Sequence, residues 1–542
     1  MTPHDNDANA MPGTLASALD GATAERAAAP FILHGDEVAT YGDLAAASRQ
    51  AAAGLQALGL GRGDRLGLLS LNRIEWLVLF FACARIGAVA VAMSPRYREG
   101  ELGYILKDSR VKAVATVGEH EGCDFAALFE RLSADAPQLR HLILLPGSEP
   151  QAHDPATPGL ERVPYSTVLQ HAGNADSAQA VTKLQSDVTA DQPAMVIYTS
   201  GTTGRPKGAG LTHRSLLASA WAQAAHMRIA DTDLLTLASP LNHVGGITCG
   251  ILTLLAGRGR VDLLPEFKAS QVLERIGLHK PTLLAGVPTM MTLLLMKSEG
   301  LDIDFSSVRL AFIGGSSVDP SLLARLQQRL PAATLMNLYG LSETSGAIVL
   351  TPWDASDQDL METIGVPIGD ARLRVVEPGG TKDMPLGEVG ELCFKGCGVV
   401  PGYVGAAEAN AAFLPDGWLR TGDLGQVDAR GVITLRGRAK DMYIQGGFNV
   451  YPAEVEAHIS RHPDVLMVAG IGVPDPVLGE IGHYFIVRKP GATVTEQALR
   501  AWCAEALADY KVPRRFEFRE ELPLTPAGKI QKAALRTEQA QP

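Results

Sequence analysis

The sequence contains little cysteine, no excess of basic residues and no long uninterrupted apolar run. Six of its 542 residues are cysteines, and only Cys393 and Cys397 lie close together. No second cysteine pair or histidine cluster accompanies them to complete a zinc site, so we expect buried free thiols. Free thiols are typical of a reducing compartment, which predicts a cytoplasmic protein.

The charge balance argues against a nucleic-acid partner. The chain has 48 basic and 59 acidic residues, a formal net charge of -11, whereas nucleic-acid-binding proteins usually show a basic excess or a basic stripe. Small anionic ligands remain compatible with this charge, because loops and backbone amides bind them inside acidic proteins.

Membrane insertion is not expected either. The most apolar stretch runs from Trp76 to Met93, and Arg85 and Gly87 interrupt it. The stretch predicts a buried helix that continues into a strand rather than a membrane span. The polar and acidic N-terminus MTPHDNDANA does not resemble the apolar core of a secretory signal.

The length and the alternation of segments predict an α/β fold with more than one packed unit. Residues 43–58 and 73–86 predict helices, and residues 65–69 and 88–93 predict strands. This alternation is typical of βαβ units in a largely parallel sheet that is covered on both faces. It resumes at residue 194 and continues to about residue 337.

Three further regions differ from these βαβ segments in composition and residue pattern. Residues 146–192 are polar and predict a surface excursion or a connection between subdomains. Between residues 363 and 436, short β-type runs separated by glycines predict a smaller antiparallel sheet or barrel-like subdomain. The residues after Arg438 predict a small α+β domain.

The strongest local signal is the run YTSGTTGRPKG from Tyr198 to Gly208. It follows an apolar strand and precedes a helix that begins near His213. Its glycines let backbone amides turn toward a ligand, and its hydroxyls and Lys207 complete a polyphosphate cradle. The run does not fit the Walker pattern. The alternative is a surface loop that is rich in glycine and threonine.

This run resembles the phosphate loop of the adenylate-forming superfamily, which contains acyl- and aryl-CoA synthetases, firefly luciferase and peptide-synthetase adenylation domains. Further segments follow in the order found in that superfamily. They are GGSSV from Gly314, YGLSET from Tyr339, TGD ending at Asp423, GRAKD from Gly437 and PLTPAGKI from Pro523. By this ordered set the chain is identified as a member of the superfamily, in its acyl-CoA synthetase branch.

The resemblance implies an ATP site with a purine slot formed by Gly314, Gly315 and Tyr339, whose ring would stack on adenine. It implies that Asp423 accepts hydrogen bonds from the ribose hydroxyls and that Arg438 adds a second contact. Without the resemblance, Tyr339 would be a core residue and Thr-Gly-Asp an ordinary turn. The residues assigned to ATP and AMP are Thr199, Ser200, Gly201, Thr202, Thr203, Gly204, Lys207, Gly314, Gly315, Ser316, Tyr339, Gly340, Ser342, Asp423 and Arg438.

The catalytic residues implied by the resemblance are Lys207, His243, Glu343 and Lys529. Glu343 would bind Mg²⁺, which bridges phosphates; the alternative is a carboxylate at the start of a helix. Lys529 would enter the site during adenylation and bridge the carboxylate and the α-phosphate. His243 would lie beside the incoming carboxylate, where the alternative is a core histidine.

The resemblance also implies a division of the chain. Residues 1–437 would form the N-terminal ATP- and acid-binding domain, residues 438–441 a hinge at Lys440, and residues 442–542 a mobile C-terminal domain. Gly446, Gly447 and Phe448 would face CoA during thioester formation, although the following Pro452 is also a good helix start.

The predicted function is an ATP-dependent carboxylic acid–CoA ligase with an acyl-AMP intermediate, acting on medium- or long-chain fatty acids. Aryl acids are the alternative substrate and a carrier protein the alternative acceptor. The other classes are a P-loop phosphotransferase or ATPase, which would release phosphate, and a non-catalytic nucleotide-binding protein. Departures from the family pattern at Asn242, Leu341 and Gly210 concern the acid, and the small residues Ser345 to Ala347 indicate an open acyl pocket. A homodimer is the default expectation.

Overall fold

The computed structural model describes residues 11–148, 159–170, 175–199, 206–316, 318–404, 412–525 and 528–540. Of the predicted site residues, Ser200, Gly201, Thr202, Thr203 and Gly204 lie outside the described residues.

The predicted βαβ alternation near the N-terminus is confirmed. The predicted strands are Arg65–Leu69 and Val89–Met93, which pair in parallel. The predicted helices are Tyr41–Ala57 and Ile74–Ile86. Gly87 ends the second helix in a left-handed conformation, a common way for a helix to stop, and the buried strand follows at once.

These strands belong to a mostly parallel sheet of eight strands. Two antiparallel strands extend one edge of this sheet. One of them, Lys207–Thr212, begins at the end of the predicted phosphate loop. In spatial order the strands are Tyr403–Val404, Lys207–Thr212, Pro193–Thr199, Val89–Met93, Arg65–Leu69, Ala113–Thr116, His141–Leu144 and Glu161–Pro164.

A second sheet has nine strands and carries most of the predicted nucleotide segments. Its strands Leu310–Gly314 and Thr334–Leu341 pair in parallel, so their carboxyl ends meet at one edge. Ligands of α/β sheets bind at such an edge. In spatial order the strands are Val366–Pro367, Gly346–Leu350, Thr334–Leu341, Leu310–Gly314, Leu283–Gly286, Leu234–Leu237, Arg260–Leu263, Pro30–His34 and Glu37–Thr40.

The two smaller predicted units are also confirmed. A four-stranded antiparallel sheet contains Arg372–Val376, Gly390–Lys395, Leu419–Val427 and Ile433–Arg438. A five-stranded sheet near the C-terminus contains Phe448–Val450, Tyr443–Gln445, Gly479–Arg488, Val465–Asp475 and Arg515–Arg519. Helices pack on this last sheet, which makes the region α+β. A short hairpin joins Glu119–His120 to Cys123–Asp124.

The helices cover the sheets on both faces. The α-helices are Leu15–Arg26, Tyr41–Ala57, Ile74–Ile86, Glu99–Ser109, Phe125–Ser133, Tyr165–Gln170, Ala175–Ser186, His213–His226, Val244–Gly246, Thr253–Ala256, Ala269–His279, Pro288–Ser298, Pro320–Arg329, Asp357–Glu362, Pro452–Ile459, Glu496–Ala506 and Lys532–Ala540. A π-helix spans Ile247–Leu252, and 3-10 turns span Ser342–Thr344 and Asp509–Lys511.

Two sequence-based expectations were wrong in part. Within the region predicted as a surface excursion, Glu161–Pro164 adds a strand to the sheet edge. The helix Ala175–Ser186 packs on the core, because its Gln185 accepts a hydrogen bond of 2.8 Å from the fully buried Arg85. Cys393 is a buried free thiol as expected, but Cys397 is exposed, since it lies in a turn beyond its strand.

The apolar stretch that begins at Trp76 is a buried helix followed by a buried strand, as predicted. Across the described ranges, no helix has both the length and the apolar character that crossing a membrane requires.

Candidate active site

Tyr339, Asp423 and Arg438 form a hydrogen-bonded group where the nine-stranded sheet meets the four-stranded sheet. The Tyr339 hydroxyl donates to Asp423 Oδ2 at 2.7 Å, and Arg438 Nε donates to Oδ1 at 2.9 Å. Asp423 is buried, and both of its oxygens therefore have partners. Burial and the Asp423 carboxylate raise the pKa of Tyr339 well above its usual value, so the hydroxyl remains a donor.

The ring of Tyr339 packs in an apolar cluster, with its centroid 6.0 Å from that of Phe394. Gly314 and Gly340 lie so close to neighbouring backbone that a Cβ would meet a carbonyl oxygen at 2.1 Å and 2.0 Å. These two glycines therefore allow close backbone packing beside Tyr339, and the purine slot stays a prediction. Stacking of adenine on Tyr339 stays a prediction.

Glu343 lies in the 3-10 turn Ser342–Thr344, between two strands of the nine-stranded sheet. Its Oε1 accepts a hydrogen bond of 2.6 Å from the hydroxyl of Tyr403, and Lys207 Nζ lies 5.8 Å from the centre of the Tyr403 ring. Burial and the Glu343 carboxylate raise the pKa of Tyr403, which keeps its proton. The Tyr403 side chain therefore links the predicted magnesium ligand to the predicted phosphate-loop lysine.

Lys529 reaches from the C-terminal domain into this group. A Cβ built on Gly315 would lie 3.0 Å from Lys529 Cε, so the missing side chain at Gly315 leaves room for the lysine. The loop that carries Lys529 rests on Val287, since a Cβ on Gly528 would lie 3.3 Å from Val287 Cγ2. The chain thus adopts the domain arrangement in which Lys529 lies near Asp423 and Arg438, and we call the region around these two residues and Tyr339 the nucleotide end.

The surroundings of Lys529 make its charge sensitive to pH. Burial and the positive charge of Arg438 lower the pKa of Lys529 to about 8, while the carboxylates of Asp423 and Glu343 act in the opposite direction. A lysine with this pKa is still mostly protonated near pH 7.

His243 begins the short helix Val244–Gly246, and its Nδ1 accepts a hydrogen bond of 3.1 Å from the Gly245 backbone N–H. Burial and the nearby Lys529 lower the pKa of His243 to about 3, so the ring is neutral. Because Nδ1 is an acceptor, the proton of the neutral ring is on Nε2. His243 can therefore donate one hydrogen bond to an anionic group that approaches Lys529.

The predicted hinge and CoA residues lie in the C-terminal part. Lys440 is exposed, in the turn between the last strand of the four-stranded sheet and the first of the C-terminal sheet. Gly446 and Gly447 form the turn of a hairpin, both with positive φ. Phe448 follows, is 56% exposed, and stacks on Tyr510 with ring centroids 4.6 Å apart.

The remaining predicted residues have simple placements. Thr199 ends the strand before the phosphate loop, and its Oγ1 donates to the Lys207 carbonyl oxygen at 3.5 Å. Ser316 is exposed and Ser342 is buried beside Glu343.

Two residues near the site were missed by the sequence analysis. Tyr403 contacts Glu343 across 60 positions of the chain, a separation at which no local motif pairs them. Thr525 closes the loop of Lys529, because its Oγ1 accepts the Lys529 backbone N–H at 3.1 Å. The spacing of Thr525 and Lys529 within PLTPAGKI was the available signal for this second residue.

The arrangement suits a reaction between two anions. Within the described part of the chain, no three His, Cys, Asp or Glu side chains converge on a metal position, so Glu343 stands as a single carboxylate. One carboxylate is sufficient for Mg²⁺, which keeps most of its shell as water and phosphate oxygens. Lys529 is close enough to Arg438 and to the neutral His243 for its charge to interact with both.

Comparison with known proteins identifies the family. The model of the AMP-binding enzyme family matches residues 19–404, and that of the AMP-binding enzyme C-terminal domain matches residues 454–529. The chain belongs to the AMP-binding enzyme family.

Its relatives act on different acids. The chain is 34% identical to a feruloyl-CoA synthase of Amycolatopsis over 94% of this chain and 95% of that protein. It is 32% identical to a long-chain-fatty-acid–CoA ligase of Salmonella typhimurium, with 97% and 94% covered. The crystal structure of the anthranilate CoA ligase AuaEII in complex with anthranoyl-AMP superposes with a TM-score of 0.85 at 26% identity, with 97% of each chain covered.

This member of the AMP-binding enzyme family is an AMP-forming acid–CoA ligase, as the sequence predicted, and ATP, CoA and a carboxylic acid are its substrates. The fold predicted from the sequence, with a large α/β domain and a separate C-terminal domain, is confirmed by the same comparisons.

Proposed function

We propose that this chain joins a carboxylic acid to AMP at the Lys529 site and then transfers the acyl group to CoA. The observation that carries the proposal is the position of Lys529, which lies against Gly315 and interacts electrostatically with Glu343, Asp423 and His243. Lys529 is half-buried, and its ammonium group makes no hydrogen bond or ion pair within the described residues, whereas a transferring phosphoryl group would pair with it.

In the first step, an oxygen of the acid's carboxylate attacks the α-phosphorus of ATP, and the bond to pyrophosphate breaks. His243 Nε2–H donates to one carboxylate oxygen and orients it. Protonated Lys529 lies between the carboxylate and the α-phosphate, where it lowers the repulsion between two anions. The protein forms no covalent bond, so positioning and charge stabilisation supply the rate.

Glu343 would hold Mg²⁺ together with phosphate oxygens of ATP. When bound, the ion neutralises charge that develops on the pyrophosphate leaving group. Tyr403 fixes the Glu343 carboxylate by donating to Oε1. Asp423 would bind the ribose hydroxyls, with Arg438 and Tyr339 holding its carboxylate in place.

In the second step, the C-terminal domain would rotate about the hinge 438–441, and Lys529 would withdraw. The turn at Gly446 and Gly447 would then face the site, and the thiol of CoA would attack the acyl carbon and release AMP. The exposed Phe448 is available for such a contact. The division at residues 437 and 442 belongs to this proposal.

The acid is proposed to be a medium- or long-chain fatty acid, with an aryl acid as the second candidate. Relatives of similar identity act on feruloyl and long-chain fatty acyl groups, which supports the class of monocarboxylic acids. The cytoplasmic location and the homodimer stay predictions.

The direct test is pyrophosphate release from ATP over a panel of fatty, aryl and dicarboxylic acids, with and without CoA. The proposal expects acid-dependent pyrophosphate release that turns over steadily only with CoA. Release of inorganic phosphate without dependence on the acid would contradict it. A single turnover of pyrophosphate that CoA does not accelerate would keep the adenylate and point to a carrier protein.

A further inference from the structure

The helix Glu99–Ser109 contacts the run YTSGTTGRPKG near both of its ends. The Tyr104 hydroxyl of this helix donates to the Pro206 carbonyl oxygen at 3.0 Å. Oδ2 of Asp108, in the same helix, accepts a hydrogen bond of 2.6 Å from the hydroxyl of Tyr198, which begins the run. Because Tyr104 and Asp108 are four residues apart, they lie on one face of the helix. One helix face therefore holds the chain at two points of the predicted phosphate loop.

The two tyrosine rings also pack against each other. The ring centroids of Tyr104 and Tyr198 lie 6.3 Å apart in an edge-to-face arrangement. A Cβ on Gly208 would lie 3.2 Å from Tyr198 Cζ, so the Tyr198 ring covers this glycine of the neighbouring strand. Burial and the Asp108 carboxylate raise the pKa of Tyr198. Its hydroxyl therefore keeps its proton and remains the donor to Asp108 at neutral pH.

Lys207 is the first residue of its strand, and fewer contacts hold its backbone than hold the residues after it. It pairs with Thr199 on one side, whereas on the other side the pairing begins at Gly208, opposite Val404. Chain at the end of an element opens more easily than chain at its centre. The residue before Lys207 is a proline, which has no N–H to donate to a neighbouring strand. The hydrogen bond from Tyr104 to that proline's carbonyl oxygen therefore adds an anchor directly before Lys207.

The side chain of Lys207 extends toward the predicted metal ligand. Its Nζ lies 5.8 Å from the centre of the Tyr403 ring, and the Tyr403 hydroxyl donates to Glu343. A shift of the Lys207 backbone would move its ammonium group relative to Glu343. Because a misplacement of about 1 Å can strongly impair a positioned group, an anchor before Lys207 bears directly on how well this lysine meets a phosphate.

We propose that Tyr104 is a positioning residue for ATP binding, and that it holds Lys207 against the phosphates through the Pro206 carbonyl. Asp108 supports this role by fixing Tyr198, whose ring packs on that of Tyr104. The inference rests on the proposed function, because it takes Lys207 as a phosphate contact. Tyr104 and Asp108 both lie outside the segments by which the sequence resembles the adenylate-forming superfamily.

The test is a double-mutant cycle on the equilibrium Kd for MgATP, measured by calorimetry without acid or CoA. The four proteins are the native chain, Tyr104→Phe, Lys207→Ala and the double variant. Tyr104→Phe keeps the ring and removes only the hydroxyl, so we expect the Kd to rise about threefold to tenfold. In the Lys207→Ala background, the same substitution should raise the Kd less than about twofold, because the side chain that Tyr104 positions is absent.

Tyr41→Phe is the matched control for a general loss of stability. The Tyr41 hydroxyl is buried and donates to the Gly259 carbonyl oxygen at 2.6 Å, a bond of the same kind in another part of the fold. Because this bond is more deeply buried, its loss should lower the melting temperature at least as much as Tyr104→Phe does. Only Tyr104→Phe should weaken MgATP binding. If the two variants raise the Kd equally, the effect is one of stability and the inference fails.

Two variants of Asp108 test its supporting role. Asp108→Asn keeps an oxygen that can accept from Tyr198, so the Kd should stay within about twofold of the native value. Asp108→Ala removes the acceptor. Since the Ser109 side chain also bonds with the Tyr198 hydroxyl, we expect Asp108→Ala to raise the Kd only about threefold. Equal weakening by the two variants would refute the part assigned to Asp108.

The cycle separates this inference from the proposed function. An equal rise of the Kd in both Lys207 backgrounds would show that Tyr104 does not act through Lys207 and would overturn the inference. An unchanged Kd in Tyr104→Phe, or in Lys207→Ala, would overturn it as well. None of these results depends on the acid. The ligase is tested separately by acid-dependent pyrophosphate release, so either proposal can fail while the other stands.

Discussion

The nucleotide end and the core around Gly346 differ in how their buried polar groups are hydrogen-bonded. At the nucleotide end, Asp423 has a partner on each oxygen, at 2.7 Å from Tyr339 and 2.9 Å from Arg438. In the core around Gly346, Gln223 Oε1 and Thr248 Oγ1 make no hydrogen bond within the described residues. The protein itself therefore holds the Asp423 carboxylate in place, whereas two buried oxygens in the second region have no such partner there.

The fixed hydrogen bonds of Asp423 suit the substrate that we propose for this region. ATP is the same for every member of the family, so groups that bind it can be fixed in advance, and fixed dipoles stabilise a transition state without reorganising. The acid differs between relatives.

Removing Lys529 should disrupt the nucleotide end most strongly. For Lys529→Ala we expect adenylation to slow by about 10²- to 10³-fold, as on loss of a group that stabilises transition-state charge. Thioester formation from supplied acyl-AMP should change far less. Lys532→Ala is the control, because Lys532 pairs with Glu456 at 2.6 Å and not with the site. Equal loss of both half-reactions would contradict the role of Lys529.

Replacing Glu343 tests the metal side of the same region. Glu343→Gln should lower the adenylation rate by about 10²-fold and raise the magnesium concentration needed for half-maximal rate, because an amide oxygen binds Mg²⁺ more weakly than a carboxylate. Tyr403→Phe removes only the hydrogen bond to Oε1, so a loss of about threefold to tenfold is expected. An unchanged magnesium dependence in Glu343→Gln would show that the ion binds elsewhere.

The pH profile tests whether the lysine acts in its charged form. The pKa of Lys529 is lowered to about 8, so the ammonium group is lost as pH rises through that value. The adenylation kcat/KM for MgATP, which reports the free enzyme, should therefore fall about tenfold for each pH unit well above the pKa. Lys529→Arg should move this limb to higher pH, since arginine keeps its charge. A flat profile through pH 10 in the native enzyme would exclude the role.

The smallest effect is expected from the hydrogen bond behind Asp423. Tyr339→Phe removes the donor to Oδ2 and should lower the free energy of unfolding by about 1 kcal/mol and raise KM for ATP about threefold. Tyr41→Phe is matched, because its buried hydroxyl donates to the Gly259 carbonyl oxygen at 2.6 Å away from the site. It should change stability similarly and leave KM for ATP unaltered. If both variants change KM alike, Asp423 is not positioned by Tyr339.

Much of the fold could be predicted from the sequence because its strands are short apolar runs bounded by turn residues. Arg65–Leu69 and Val89–Met93 are examples, and both are buried central strands. The strand Glu161–Pro164 was missed, because ERVP alternates little and only Val163 is buried at the sheet edge. An edge strand of this kind is set by its neighbour rather than by its own composition.

The residues of the candidate site also divide into those that the sequence predicted and those that only the folded chain brings together. Local sequence motifs predicted Lys529, Glu343 and Asp423 as site residues, since each lies in a recognisable short segment. The contact of Tyr403 with Glu343 and the unpaired atoms of Gln223 and Thr248 depend on segments far apart in the chain. No spacing rule reports such contacts, because they arise only when the sheets and the π-helix come together.

The central claim, that the acid is first joined to AMP, is tested most directly by trapping the intermediate. The enzyme would be mixed with ATP, magnesium and an acid that it accepts, in the absence of CoA, and quenched rapidly. The amount of acyl-AMP formed per enzyme molecule would then be measured. Addition of CoA to an unquenched sample should convert this acyl-AMP to acyl-CoA and AMP in a single turnover. Formation of acyl phosphate and ADP would contradict the account. Formation of acyl-CoA without a preceding acyl-AMP that CoA consumes would also contradict it.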